Sequence, residues 1–518
     1  MRRLPVFAAL LIAGCGGAGG GGEGSSGSSG TSSGSGMAAT PPEGTLLQSP
    51  AQLVSTMTAP SLLVELNLAA NQPLLSLSGT PVCDVLIYRI QYQTVGGANE
   101  PTTASGALMV PSGLGSGCTG ARPILLYAHG TSTDRAFTMT DLSNAEALAL
   151  AAVFASQGYI VVAPNYAGYD TSTLTYHPYL IAAQQSKDMI DALKAARTAL
   201  PLASATLTSD NGQLFIAGYS QGGYVAMATQ RAMEAAGMMV TAAAPMSGPY
   251  ALAAFADAVF YGEVNGGAPI STTLLLTAYQ AAYGNIYASP SDVFEPQYAT
   301  GIESLLPTTL TRSELYAQGL LPQYALFSTT PPAAQFAAVT PPTTPANLAE
   351  VFAVGFGSDN LILNSYRLSY LEDAQANPDG GFPTVTTGLT ATAPQLPWRQ
   401  ALQRNDLRNW VPVAPVQLCG GDVDPVVFWL NTQLLQGYWA AHPPAAAVAV
   451  LDLEAPVSTS DSYTNLKQGF QAAKTLVAAD AVLQGATDGG AAAVAEAYHA
   501  TLVAPFCFAA AKSFFSGY

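Results

Sequence analysis

This sequence has little charge. Of its 518 residues only 10% are charged, and 17 Lys and Arg face 33 Asp and Glu, a formal net charge of −16. A chain so poor in cations has no electrostatic footprint for a phosphate backbone, which argues against nucleic acid as a partner. Bulk disorder is also excluded, because it needs few apolar residues and many charges, whereas 49% of this chain is hydrophobic. Long apolar runs are missing too. Beyond the N-terminus no stretch of about 18 apolar residues continues without Pro, Gly or polar breaks; residues 238–255, for example, are interrupted by Pro245, Gly248 and Pro249. Histidine is scarce, with four in the chain, and neither H-E-x-x-H nor C-x-x-C occurs. Zinc is therefore not expected, and no other cofactor is. The length leaves room for several ordinary domains, or for one large domain carrying an insertion.

What is present begins with an address. Met1-Arg2-Arg3 is positive, and residues 4–14 form a short apolar core ending in small residues. That is the build of a secretory signal peptide, too short to span as a helix. Ile12-Ala13-Gly14-Cys15 resembles the lipobox of bacterial lipoproteins, in which the cysteine is lipidated and becomes the mature N-terminus. An ordinary signal peptide with a chance cysteine is the alternative. The Gly/Ser/Thr tract that follows, residues 16–36 with a single charge, favours the lipobox because it would behave as a flexible tether. The expectation is a signal peptide over residues 1–14 and a tether over 15–45. The protein would be an exported bacterial lipoprotein, held by Cys15 to a membrane of the cell envelope or surface. Four other cysteines remain, Cys83, Cys118, Cys419 and Cys507. An even number in an exported protein suggests two disulfides, with three connectivities open.

Past the tether, strand-like runs occur at residues 83–95, 104–110 and 123–128. They are followed by a helix at 145–157, a strand at 159–163 and a helix at Ala182–Ala199. A strand at 213–217, a helix at 221–236 and a strand at 240–244 continue the alternation. Such alternation implies a parallel sheet covered on both faces. From about Tyr250 to Pro397 the rhythm stops, leaving helix-like and Pro-rich pieces. Thr311-Arg312-Ser313-Glu314 is a capping box opening a short helix, and Ser358 is a candidate cap for a helix running through residues 371–374. Strands at 413–419 and 447–453, with helices at 426–441 and 463–484, then resume the pattern. Two late strands are too few for a second sheet. The expected organisation is a core in two parts, residues 46–250 and 398–518, interrupted by a helical cap or lid at 251–397.

Gly218-Tyr219-Ser220-Gln221-Gly222 matches G-x-S-x-G. The pattern alone means little, since Gly30-Thr31-Ser32-Ser33-Gly34 in the tether matches as well. Context separates the two. Ser220 lies between an apolar strand and a helical stretch, the setting in which a tight turn lifts a serine hydroxyl above a sheet. Gly218 and Gly222 relieve crowding where the helix returns across the strand. A glycine-lined turn without chemistry is the plainer alternative. His129-Gly130-Thr131 directly follows the strand at 123–128, and here the sequence resembles the α/β-hydrolase superfamily. The likeness covers roughly residues 80–518 and is closest to secreted bacterial lipases and carboxylesterases. It implies an α/β fold, a mostly parallel central sheet with helices on both faces and a helical cap insertion. It also implies an oxyanion hole made by the backbone N–H groups of Thr131 and Gln221, with His129 bracing the loop.

The family order of serine, acid and histidine then selects among the four histidines. His129 belongs to the oxyanion loop, His177 lies upstream of the nucleophile, and His442 precedes the last strand. His499 remains, in a segment running from Tyr498 to Cys507 that resembles the C-terminal histidine motif of those lipases. It lies far beyond Leu453, so an additional helix has to intervene. For the acid, Gly421, Asp424 and Val427 fall in register with the family's G-x-x-D-x-x-V loop. Asp422 is the close rival, with Asp452 and Glu454 as outside options. On this assignment a Cys419–Cys507 bridge would tie the acid loop to the base-bearing segment, and Cys83–Cys118 would pin the first strands near the oxyanion loop. Tyr166 and Tyr169 follow the strand at 159–163 and are candidate substrate contacts, because ligands collect at the carboxyl ends of parallel strands; a structural turn is the alternative.

The function implied is a serine ester hydrolase, a carboxylesterase or lipase, acting on a small-molecule or lipid-like ester. Ser220 attacks, His499 takes and returns the proton, Asp424 steadies the imidazole, and water resolves the acyl-enzyme. Cap residues such as Phe255, Phe260, Tyr279 and Tyr283 suit an apolar acyl pocket, or form the cap's own core. A serine peptidase of the prolyl-peptidase type shares the triad and needs a charged group for a peptide terminus, for which Glu263 and Glu295 are available. A catalytically inactive, surface-tethered binding lipoprotein is the non-enzymatic reading, and an intact set of catalytic groups argues against it.

Overall fold

The computed structural model describes residues 40–68, 72–203, 207–379, 389–458 and 461–518. The expected signal peptide, Cys15 and the tether as far as residue 39 lie outside the described residues. Among the described residues nine strands form one sheet: β1 (Gln52–Met57), β2 (Asp84–Val95), β3 (Pro101–Ser112), β4 (Gly120–Ala128), β5 (Ile160–Pro164), β6 (Thr208–Tyr219), β7 (Ala242–Met246), β8 (Val416–Gly420) and β9 (Val448–Asp452). Their order is β1-β2-β3-β5-β4-β6-β7-β8-β9. The pairs β1–β2, β2–β3 and β3–β5 are antiparallel, and every pair from β5–β4 to β8–β9 is parallel.

The parallel half has the sequence that parallel strands require. β5 and β7 are buried at every residue, which is why they read as unbroken apolar runs. One apolar cluster fills each face: Leu126, Ile216, Met189 and Tyr224 lie on one side, and Leu125, Phe215, Phe508 and Phe515 on the other. The fold class is the one the alternation implies. The first strand was not anticipated. β1 is an edge strand, exposed at five of its six positions, so no hydrophobic alternation marks it. β6 also begins earlier than its apolar stretch, because the polar residues Thr208, Ser209 and Asp210 pair with Gly120, Ala121 and Arg122.

β7 and β8 are neighbours in the sheet although a long insert separates them in the chain. Among the described residues the insert holds no strand. Its longer helices are Leu252–Phe260, Ala268–Tyr283 and Asn364–Ala376, and Pro397–Asn405 leads back to the sheet. The capping box at Thr311 and Glu314 is present. Ser358 caps nothing, because the following helix opens at Asn364 behind Leu363. Phe260, Tyr279 and Trp398 of this region belong to the same cluster as the sheet residues Leu126 and Ile216, so the insert and sheet share a core. Buried ion pairs brace the insert's two ends. Arg399 meets Asp257 at 2.8 Å and Asp373 at 3.0 Å, and Arg408 meets Asp379 and Asp406 at 2.8 Å each.

After β9 come the helix Thr464–Leu483, a second helix Ala491–Ala497, a π-helical turn Tyr498–Val503 and a last helix Ala504–Phe515. The continuous run Ala491–Phe515 is long and apolar enough to cross a membrane by length and composition alone. Here its inner face packs Leu502, Val503, Phe508 and Phe515 against the sheet. Both anticipated disulfides form, Cys83–Cys118 and Cys419–Cys507. The second joins β8 to the last helix.

Candidate active site

β6 ends at Tyr219 and a helix begins at Gln221, so Ser220 is the whole of the turn between them. Its backbone is forced to φ 59° and ψ −122°, a conformation that a residue with a side chain adopts only when its surroundings impose it. The surroundings are tight. A methyl group at Gly218 would overlap the carbonyl of Gly222, and one at Gly222 the carbonyl of Ala128. The two glycines let the helix pass directly over β6 and β4, and Ser220 N–H is fixed by Met246 O at 3.0 Å.

His499 reaches this serine from the π-helical turn. Its Nε2 lies 2.8 Å from Ser220 Oγ and its Nδ1 2.7 Å from Asp424 Oδ2. A carboxylate only accepts, so Nδ1 carries the proton and Nε2 is left to accept from the serine hydroxyl. The other oxygen of Asp424 accepts the N–H groups of Val426 at 2.9 Å and Val427 at 3.1 Å, which fixes the carboxylate in its loop. A π-helical insertion is a common device for re-aiming a functional side chain; here the backbone carbonyl of His499 is also held by the Tyr219 hydroxyl. The rival acids are placed elsewhere. Asp452 accepts the backbone N–H groups of Asp422 and Glu454, and Glu454 is held by Gln471, Lys474 and the Tyr498 hydroxyl.

The loop after β4 lies against the elbow: a methyl group on Gly130 would sit 3.5 Å from Tyr219 O and 3.8 Å from Ser220 Cβ. Gly130 N–H is occupied, donating to the two oxygens of Glu146 at 3.1 and 3.2 Å. Among the described residues the backbone N–H groups of Thr131 and Gln221 have no acceptor. Gln221 opens its helix, where the dipole adds partial positive charge. The Thr131 hydroxyl pairs with that of Tyr179 at 2.9 Å. Glu146 was not singled out in the sequence. A glutamate in the first turn of Ala145–Val153, behind the Asn144 cap, reads as an ordinary response to the helix dipole. As a residue it is partly exposed, but its carboxylate is enclosed by Gly130 and the Tyr127 hydroxyl, and burial pushes its pKa up to about 7.

The other histidines do not reach Ser220. His129 faces Gly130 O at 2.7 Å and Asn165 O at 3.1 Å, and burial lowers its pKa to about 4. His177 lies between Ala167 O and the Gln221 side chain, lowered by burial to about 3. His442 stacks on Tyr438 at the end of its helix. Tyr166 and Tyr169 depart from the expectation of substrate contacts. Both are fully buried, and their hydroxyls donate to His129 O at 3.0 Å and Ser132 O at 2.7 Å, so they support the loop from beneath. Phe260, Tyr279 and Tyr283 also serve packing: Phe260 stacks on Tyr370, and Tyr279 meets Tyr283 edge-on.

The insert touches both loops beside Ser220. Thr308 N–H donates to Thr133 O and Arg135 N–H to Thr308 O, each at 2.8 Å. On the opposite side Gly266 N–H donates to Pro425 O at 2.8 Å, and the Asn265 amide to Val426 O at 2.9 Å.

The prolyl oligopeptidase family matches residues 147–272 of the chain. A search of curated proteins finds no match. Among solved structures the chain is similar to the rice cell wall degrading esterase LipA from Xanthomonas oryzae, at 27% identity and a TM-score of 0.61, over 81% of this chain and 92% of that one. A ligand-bound form of the same esterase gives 25% identity and a TM-score of 0.64, over 91% and 98% of the two chains. A Legionella pneumophila protein at 17% identity and a TM-score of 0.59, over 90% of this chain and 96% of its own, shares the fold.

Proposed function

As an α/β-hydrolase resembling bacterial esterases, the chain is a serine hydrolase, and from that premise we propose that it cleaves carboxylic esters through Ser220, His499 and Asp424. The observation that carries this reading is the unbroken line from Asp424 Oδ2 to His499 Nδ1, 2.7 Å, and from His499 Nε2 to Ser220 Oγ, 2.8 Å. Ser220 Oγ adds to the acyl carbonyl as its proton moves to Nε2, and Asp424 stabilises the imidazolium so formed. The carbonyl oxygen becomes an oxyanion facing the N–H groups of Thr131 and Gln221, each such donor accounting for roughly 10²- to 10³-fold in rate. His499 then returns the proton to the departing alcohol. Water then loses a proton to Nε2 as its oxygen bonds to the acyl carbon, and the bond to Ser220 Oγ breaks as that proton passes to Oγ, releasing the acid.

The LipA likeness favours an ester over an amide, and the insert at residues 251–397 is read as a cap over the acyl-binding side. Its contacts with Thr133, Arg135, Pro425 and Val426 would set the width of that side. The prolyl oligopeptidase match gives the peptidase reading its own support. Glu263 would then be the group for a peptide amine, its carboxyl raised by burial to about 7. A fluorophosphonate probe followed by assays on p-nitrophenyl esters and prolyl amides separates the two. The expected result is labelling of the protein, none of Ser220→Ala, and turnover of the esters alone. Amide turnover without ester turnover would transfer the proposal to the peptidase.

The two disulfides fit an exported protein. We propose that Cys15 carries the lipid anchor, so that Cys15→Ala moves the protein from the membrane fraction to the soluble one.

A further inference from the structure

Two histidines outside the triad form the ends of one buried stack. The His129 ring lies on Tyr166 with centroids 4.1 Å apart and planes 25° apart, and Tyr166 lies beside His177 at 5.6 Å and 18°. Tyr169 closes the side of the stack, 4.6 Å from His177 and 5.9 Å from His129. Each end is joined to one half of the oxyanion hole. His129 directly precedes Gly130 and Thr131, and its carbonyl accepts the Tyr166 hydroxyl at 3.0 Å. At the other end His177 Nε2 lies 2.7 Å from the side-chain Nε2 of Gln221, the residue after Ser220.

The chemistry of that second contact has one solution. His177 Nδ1 is 2.9 Å from Ala167 O, and a carbonyl only accepts, so Nδ1 bears the proton. Nε2 is then an acceptor, and the Gln221 amide donates to it at 2.7 Å, with the Gln185 amide farther off at 3.4 Å. Burial, which pushes His177 down to about 3, keeps the ring in this neutral form across the ordinary pH range. Gln221 itself is fully buried, so its side chain is an anchor for the first residue of the helix and not a surface group.

We infer that His177 is a positioning residue for the oxyanion hole, holding the Gln221 side chain at one end of the His129–Tyr166–His177 stack so that the N–H groups of Gln221 and Thr131 keep a fixed separation. The inference rests on the reading of Ser220 as nucleophile and of those two N–H groups as oxyanion donors. Its energetic logic is that of preorganisation: a donor matters in the transition state only when its place is set beforehand, and a displacement of about 1 Å can cost roughly 100-fold.

The test compares His177→Ala with His177→Gln, which retains an acceptor, and with Gln221→Leu, which removes the donor and leaves the imidazole. For each, kcat and KM on p-nitrophenyl butyrate are measured per site titrated with a fluorophosphonate, together with the Ki of a trifluoromethyl ketone and the melting temperature. His177→Ala is expected to lose about 10- to 100-fold in kcat with KM within twofold, and to weaken the ketone by the same factor. His177→Gln should recover most of the loss. Gln221→Leu should reproduce it, and the double substitution should cost no more than either alone. A lower melting temperature with unchanged kcat per titrated site would overturn the inference, as would a rise in KM alone. If His177→Ala does not fold, Gln221→Leu with unchanged kcat overturns it equally. Failure of the wild-type protein to label would instead overturn the nucleophile.

Discussion

At the scale of single residues, the site depends on which groups are permitted to carry charge. Asp424 is buried and its carboxylate receives the His499 ring together with two backbone N–H groups. Asp424→Asn is expected to lower kcat by about 10⁴-fold while the protein still folds, because an amide can hold the imidazole in the wrong tautomer. Steady-state kinetics per titrated site, beside a thermal melt, check this. Glu146 carries a shift imposed by burial. Burial raises its folded pKa to about 7 from 4.5, so the protonated group favours the fold fully below about 4.5, and that contribution is lost as pH rises through about 7. Glu146→Gln should therefore gain melting temperature relative to the wild type between pH 5 and pH 8. A constant difference across that range would show that the carboxyl group does not titrate there. Ser220, Asp424 and His499 were legible because each lies in a motif beside a strand or helix signal. Glu146 was not, since its partners Tyr127 and Gly130 lie on another element and its own neighbourhood explains it without them.

At the scale of elements, long-range partners separate what the sequence reveals from what it hides. The parallel strands announce themselves because both their faces are buried. β1 gives no sign, because its pairing with β2 is backbone hydrogen bonding on an exposed edge. The need for an added helix before His499 could be read from the distance beyond the last strand; the π-helical turn that aims the ring could not, since no local preference encodes it. Cys419–Cys507 is a covalent brace beside that turn, tying β8, which leads into the Asp424 loop, to the helix just after His499. Cys507→Ser is expected to cost about 2–4 kcal/mol of stability and to depress kcat per titrated site. Cys118→Ser, whose bridge lies away from Asp424 and His499, should lower stability without a comparable fall in kcat. Melting curves and titrated kinetics of the two variants distinguish them.

At the scale of the whole molecule, the insert is held by charge as well as by apolar packing. Arg399 is almost fully buried and paired with Asp257 at one end of the insert and Asp373 within it. Arg399→Ala leaves both carboxylates without their cation and should destabilise the fold by about 3–5 kcal/mol, measurable in denaturant melts. A chain with so few charges has spent several of them here, in a network composition could not disclose.

The backbone contacts of the insert with Thr133, Arg135 and Pro425 also bear on how the molecule breathes. The amide protons of Arg135, Thr308 and Gly266 are engaged in these contacts, so their exchange with deuterated solvent records every separation of the insert from the two loops. If they exchange as slowly as amides of β6 and β7, the insert keeps its contact with both loops between turnovers. Rates on a water-soluble ester would then rise smoothly through its solubility limit, without the jump of an enzyme whose cover opens at an oil surface.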